Sequence, residues 1–357
     1  STMSSEPPET SSRTSAPLHY EWVGEAVVTV HGVYALIGTT LNCILFYCMY
    51  RYTPPSFRVF GLLMKTHTIF DLIGTASSFC AMQRIIPCVW SLLYISYGPC
   101  GLVSSGTCYV CYTLTLFVYV VTFYITLVSF MARLHIIKNG TITTKRALLY
   151  LICIASPAPL IFLISFLVSK SDDKTMIDIM IKNYPHYYQE GLIVTGNENL
   201  KTVPMFCVMF IVTVLITPLY IIILKLRKSI LNIVSQSNLT MSTRTKAMHT
   251  QFVHMLTLQA ALPLVLILAV ITFSLGQFNL VNNPALESAS IIFGETPSLL
   301  SPIIVFYHIP AYRRAVKSMI NGHVPTASEV SNPNSQERGP APGTVITVRS
   351  NSIFKSP

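Results

Sequence analysis

The chain has 357 residues, 52 % of them apolar and only 11 % charged, with a formal net charge of +10. A soluble domain carries about 25 % charged residues, so the deficit excludes an ordinary water-soluble core and points to lipid. The positive excess is spread over short segments between apolar runs, which excludes a nucleic-acid surface.

Residues 1–25 are rich in Ser, Thr, Pro and Glu and are expected to form an extracellular tail, disordered over 1–20. No basic stretch precedes an apolar run there, so the first helix is expected to act as its own insertion signal. A spanning helix needs roughly 20 apolar residues to cross about 30 Å of hydrocarbon. Seven such runs follow, at 26–50, 59–81, 107–132, 147–169, 203–224, 252–275 and 288–309. Backbone polar groups in lipid must pair within their own segment. The expectation is therefore an all-α membrane protein, a seven-transmembrane helix bundle.

Trp22 precedes the first span, and Tyr50 and Tyr52 close it, as interfacial anchors do. The short turn Arg51-Tyr52-Thr53-Pro54-Pro55-Ser56 sets the second span antiparallel to the first. Lys65, His67 and Asp71 interrupt that second span. His67 and Asp71 are four apart and share a face. An intramembrane carboxylate is a functional candidate, while Lys65, about 9 Å along the axis at 1.5 Å per residue, snorkels to the interface.

Segments 82–106 and 170–201 read as long outer loops. The first holds Cys88 and Cys100, with Cys108 close behind; the second has five acids and no cysteine. At least one bridge is expected among Cys88, Cys100 and Cys108, as Cys100–Cys108 or Cys88–Cys100, because the outer side is oxidising. Cys80 and Cys111 lie in the same neighbourhood.

The third span carries Cys108, Tyr112, Thr115, Tyr119, Thr122, Thr126, Ser129 and Arg133 at alternating spacings of four and three, hence on one helical face. Tyr112, Thr115 and Tyr119 are candidates for the outer, ligand-binding half. Thr122, Thr126 and Ser129 are expected to bond to neighbouring helices, and Arg133 to reach the cytoplasm. The same pattern also serves plain helix packing through small polar residues. Pro218, Pro263 and Pro302 are expected to kink spans five, six and seven. In the seventh span Glu295, Ser298 and Ser301 fall on one side; Glu295 joins the ligand candidates. His67, Asp71, Ser298 and Ser301 form a candidate intramembrane polar switch.

Residues 310–320, with Arg313, Arg314 and Lys317, read as an amphipathic helix on the inner face. Residues 321–357 are expected to form a disordered cytoplasmic tail. With the N-terminus outside, the inner segments hold 17 of 24 Lys/Arg and only Glu329 and Glu337 among the acids, whereas the outer segments hold 6 basic and 10 acidic residues. That asymmetry places the C-terminus inside. The acceptor patterns Asn139-Gly140-Thr141 and Asn238-Leu239-Thr240 then fall on the inner side and stay unmodified. No phosphate-binding glycine loop, HExxH or nucleophile–base pair is present, so no catalytic residue, metal site or cofactor is expected.

The span 26–320 resembles a nematode serpentine chemoreceptor of the Srd-like class. The resemblance is carried by Tyr97-Gly98-Pro99-Cys100, Cys108-Tyr109, Ser129-Phe130 with Arg133, His249, Gln251, Leu256-Thr257, Gln259-Ala260, Leu262-Pro263, and Pro310 with Tyr312-Arg313-Arg314-Ala315. It implies a multi-pass receptor in the plasma membrane of chemosensory neurons and their cilia. The implied partners are an environmental small molecule and a heterotrimeric G protein, besides membrane lipid. Arg133, Lys225, Arg227, Lys228, Arg313 and Arg314 are the candidate coupling residues. Cys111 departs from an expected glycine. Met131-Ala132 stand before Arg133, in place of the acidic-residue–Arg–Tyr pattern of rhodopsin-like receptors. The competing reading is a secondary transporter or proton-coupled carrier using Asp71 and Glu295; the absence of an internal repeat and the odd span number argue against it.

Overall fold

The computed structural model describes residues 18–53, 58–88, 90–140, 142–236, 253–277 and 284–322. The tail expectations for 1–17 and 323–357, most of the loop 237–252 and both acceptor patterns lie wholly or partly outside them.

Among the described residues, seven helical rods follow one another. They are α1 (Leu18–Tyr52), α2 (Arg58–Ala81), α3 (Ser105–Asn139), the pair α4 (Thr144–Ala155) and α5 (Pro157–Val168), the rod from α7 (Val203–Met209) to α8 (Ile216–Gln236), the pair α9 (253–261) and α10 (Pro263–Gln277), and α11 (Pro284–His308). A short α12 (Pro310–Ile320) completes the order. By length and apolar content α1, α3, the α7–α8 rod and α11 can each cross a bilayer, and α4–α5 makes a fifth span. In α2 the polar residues Lys65, His67 and Asp71 dilute the apolar run.

Proline punctuates the rods. Pro157 opens α5 at a 40° bend from α4, because its ring cannot continue the ladder of the preceding helix. The segment Phe210–Leu215 between α7 and α8 is π-helical, just before Pro218, whose missing N–H disrupts the α-pattern. Ile309 is extended (φ −103°, ψ 100°), as a residue before proline prefers, and turns the chain from α11 into α12.

α3 is the axis of the bundle, packing against α2, α4, α5 and α8. Ser104 caps it, accepting from the Thr107 N–H. From Phe123 to Phe130 every residue is buried, so the polar stripe is one part of a helix enclosed nearly all round. α1 packs on α2, α11 and α12.

The segments read as loops are not loops. Met82, in the left-handed region (φ 40°), ends α2 and turns the chain into β1 (Gln83–Cys88). β1 pairs antiparallel with β2 (Ser91–Ser96), which pairs antiparallel with β3 (Ile193–Asn197). A Cβ on Gly98 would lie 2.1 Å from the Cys80 carbonyl oxygen, so only glycine fits where the hairpin folds back onto α2. α6 (Asp173–Asn183) lies on the sheet. Leu93 and Ile95 pack with Met176, Met180 and Val194, while Leu92 and Tyr94 enter the main core. Alternation along β2 thus buries both its faces, one under α6 and one on the bundle. This sheet caps one end of the bundle; α12 lies at the other.

Candidate ligand site

Below the cap, α1, α2, α3 and α11 enclose a narrow void lined by His31, Tyr34, Ser78, Tyr119, Glu295 and Ser298, among others. Glu295 is its centre. Its Oε1 lies 2.6 Å from His31 Nδ1, and Ser78 donates a short hydrogen bond to the same oxygen. The Tyr119 hydroxyl and both His31 ring nitrogens are buried with no hydrogen-bond partner among the described residues, the Nδ1 contact with Glu295 being close but without hydrogen-bond geometry. A Cβ on Gly294 would come within 2.9 Å of the Tyr119 ring; glycine there lets the ring lie against α11. A carboxylate in a membrane bundle is costly unless paired, and His31 supplies the pair. His31 is missing from the sequence reading: a single histidine in an apolar helix carries no periodic signal, and its partner is 264 residues away.

One level nearer α12 a second polar chain crosses the bundle. His67 Nδ1 lies 3.0 Å from Asp71 Oδ2. Ser298 Oγ donates to Asp71 Oδ1 at 3.3 Å, and Asn42 Nδ2 donates to the Ser298 carbonyl at 3.1 Å. Three of the four expected switch residues are therefore joined, with Asn42 added from α1. The fourth, Ser301, does not bond to them; it lines a further void with His67, Thr126, Ser129 and Gln259.

The four expected ligand residues are not brought together. Tyr119 and Glu295 share the first void. Tyr112 instead belongs to an aromatic knot beneath the sheet, its ring 4.6 Å from Tyr94 and 5.9 Å from Phe166. Tyr109 and Asn197 complete the knot: Asn197 Nδ2 donates to the Tyr109 hydroxyl at 2.9 Å, and Tyr94 donates to Asn197 Oδ1 at 2.8 Å. Thr115 turns its hydroxyl to its own helix, donating to the Cys111 carbonyl at 3.1 Å. Thr122, Thr126 and Ser129 do likewise, to Val118, Thr122 and Ile125. The expected bonds to neighbouring helices are replaced by back-bonding four residues up, the nearest acceptor for a helical hydroxyl.

At the capped end the Arg84 Nε and Nη2 both lie 2.6 Å from Glu287 Oε2, with both side chains buried. The Tyr187 ring covers the guanidinium at 4.4 Å. Burial works against the Arg84 charge; Glu287, with the Tyr97 and Tyr187 hydroxyls, outweighs it and leaves its pKa raised. Cys100 and Cys108 form a disulfide, and Cys88 is a free thiol in β1.

At the opposite end Arg133 does not project outward: it is 3 % exposed, enclosed at the end of α3. Arg227 donates to Thr257 Oγ1 at 3.0 Å, joining α8 to α9. Lys225, Lys228, Arg313 and Lys317 are exposed. Arg314 is half-buried, its Nε donating to the Pro310 carbonyl at 3.4 Å. In α12, Tyr312 and Ala315 are buried, and the Tyr312 and Thr53 hydroxyls lie 2.8 Å apart. No cluster of three metal-ligating side chains occurs among the described residues.

Comparison with known proteins gives this geometry a family. The model of the serpentine-type seven-transmembrane chemoreceptor family Srd matches residues 27–318. Serpentine receptor class delta-1 of Caenorhabditis elegans is 29 % identical over 290 residues, covering 80 % of this chain and 78 % of its own. Class delta-2 of the same organism is 25 % identical over 292 residues, covering 80 % of each. The crystal structure of squid rhodopsin superposes with a TM-score of 0.54 at 12 % identity, over 85 % of this chain and 86 % of that one, which shows the shared fold. The chain belongs to the Srd family of serpentine seven-transmembrane chemoreceptors.

Proposed function

We propose that this chemoreceptor binds an environmental small molecule in the void between α1, α2, α3 and α11 and signals to a heterotrimeric G protein. The observation that carries the reading is the pair of buried, unsatisfied polar groups, the Tyr119 hydroxyl and His31 Nε2, beside a paired Glu295. Such groups cost free energy when left without a partner; the void, of about 10 Å³, is the size of about one water, so a ligand supplying a donor and an acceptor relieves that cost once the helices part to admit it. The N-terminus and the sheet face outward, with α12, Lys225 and Lys228 at the cytoplasmic surface of the plasma membrane. Basic residues concentrated at the α12 end support that orientation. No enzymatic step is assigned.

The ligand enters where Glu295 is held by α1 and α2, so binding changes which helices share the carboxylate. Binding that favours one such arrangement shifts the population of the bundle. The Asn42–Ser298–Asp71–His67 chain lies next along the axis to carry that change toward Arg133. The test is a second-messenger reporter in a heterologous cell, challenged with a chemical panel beside surface staining. Tyr119→Ala and Glu295→Gln should reach the surface and lose the response. A wild-type response from both would place the ligand elsewhere.

A further inference from the structure

The void around Glu295 has two boundaries of different make. Toward the sheet, the way along α11 leads from Glu295 to Glu287, about 12 Å on at 1.5 Å per residue. There the buried Arg84–Glu287 pair closes it, with the Tyr187 ring over the guanidinium. Three paired strands and the Cys100–Cys108 disulfide lie at the same end. Sideways, between α1 and α2, the boundary is thin. Gly38 of α1 meets Thr75 of α2, where an added Cβ would lie 3.5 Å from the threonine methyl. About one turn nearer the sheet, Ala35 and Phe79 both line the void. Yet Ala35 is only half-buried, and Phe79 is 40 % exposed on the outside of the bundle. One layer of side chains therefore separates the void from the surface that a membrane-spanning bundle turns to lipid.

We propose that the ligand is a neutral, lipophilic alcohol that dissolves in the bilayer and enters sideways between α1 and α2, past Phe79. The proposal rests on the reading of this void as the ligand site and names what it takes. An apolar body suits Ala35, Gly38 and the Phe79 ring. A hydroxyl is both donor and acceptor, so it can donate to Glu295 and accept from the Tyr119 hydroxyl, which is buried without a partner. His31 already lies against Glu295, so the carboxylate needs no cation from the ligand. A charged ligand would also meet a high cost in the hydrocarbon on this route.

The void is the size of about one water, so entry requires α1 to move away from α2 and α11. At this level α1 is tied to α11 by the His31–Glu295 contact and by the hydrogen bond from Asn42 to the Ser298 carbonyl. The first of these ties is the one that an incoming hydroxyl replaces. The sheet end stays closed throughout.

The test uses the full chain in lipid nanodiscs and two photoreactive diazirine probes. One is a medium-chain aliphatic alcohol, which dissolves in the bilayer; the other is a short-chain sulfonate, which stays in water. Labelled residues are mapped by peptide mass spectrometry, with the exposed Ile164 and Ile222 on other helices as controls for lipid contact. The alcohol should label Tyr119 or Glu295 besides the controls, and the sulfonate neither. Ala35→Trp should cut the label in the void at least tenfold with the controls unchanged. Phe79→Ala, which trims a side chain on the outer surface, should raise it several-fold. The inference is overturned if the alcohol labels the controls but not the void, if the sulfonate labels Tyr119 or Glu295 as strongly, or if Phe79→Ala leaves the label in the void unchanged. No signalling is read, so the two readings fail apart: label from the sulfonate keeps the site and moves its entrance, whereas a wild-type response from Tyr119→Ala and Glu295→Gln removes the site itself.

Discussion

The two ends of the bundle are held by different kinds of contact. At the sheet end, a disulfide, three paired strands, a buried Arg84–Glu287 ion pair and the Tyr94–Tyr109–Tyr112–Phe166 knot draw α2, α3, α5 and α11 together. At the α12 end, among the described residues, apolar packing that includes Met49, Ile223, Ile230 and Tyr312 is joined by helix-to-helix hydrogen bonds from Thr53 to Tyr312 and Arg227 to Thr257, beside an enclosed Arg133. Packed cores switch between discrete arrangements rather than deform smoothly. The contrast therefore locates motion: the α12 end has the weaker ties to exchange, and the sheet end gives it a fixed reference.

Mutations can break this contrast. The largest expected effect is at the ion pair. Arg84→Ala leaves Glu287 buried without its cation, a loss of about 3–5 kcal/mol, and surface staining should fall to near background. Replacing both partners together, Arg84→Met with Glu287→Leu, should restore a large part of the surface protein; if it does not, the pair serves something besides charge balance. Next is Tyr119→Ala. It should leave surface protein in place and abolish the response to the ligand, and a wild-type dose–response curve would show that the ring is packing.

Arg133→Ala should keep ligand binding and reduce the maximal second-messenger signal several-fold. Loss of surface protein instead would make Arg133 a core residue of the fold. Smaller still is the α12 surface. Neutralising Arg313 and Lys317 together removes about 1 kcal/mol per group of attraction to anionic lipid. A modest fall in the association of an α12 peptide with anionic vesicles, absent with neutral vesicles, is expected. The smallest effect is Thr53→Val, which removes the inter-helix hydrogen bond to Tyr312, worth about 1 kcal/mol, together with one to the Met49 carbonyl of its own helix; it should raise basal signalling slightly if the α12 end is the mobile one.

Most of the rods were legible in the sequence because α1, α3, α4–α5, α7–α8 and α11 are long apolar runs, and α12 because Tyr312 and Ala315 alternate with basic residues at helical spacing. The cap was not. Ser91-Leu92-Leu93-Tyr94-Ile95-Ser96 is buried on both faces, so it shows no alternation, and at six residues it is too short to stand out. Arg84 and Glu287 counted only as charges that orient the chain. The site was half legible. Tyr119, Glu295, Asp71 and His67 were visible as polar residues in apolar helices, but polarity does not tell which face meets which helix. Thr122, Thr126 and Ser129 show the limit, since a hydroxyl on a buried face can serve its own backbone. His31 and Asn42 depend on partners in α11, more than 250 residues on.

The sheet also sets an order of assembly. β2 pairs with β1 at once, but its other edge waits for β3, with Leu92 opposite Asn197. Residue 197 reaches the membrane surface only after α3, α4 and α5 have been synthesised and inserted. Until then one edge of β2 offers unpaired backbone groups, and the apolar side chains that α6 will cover are bare.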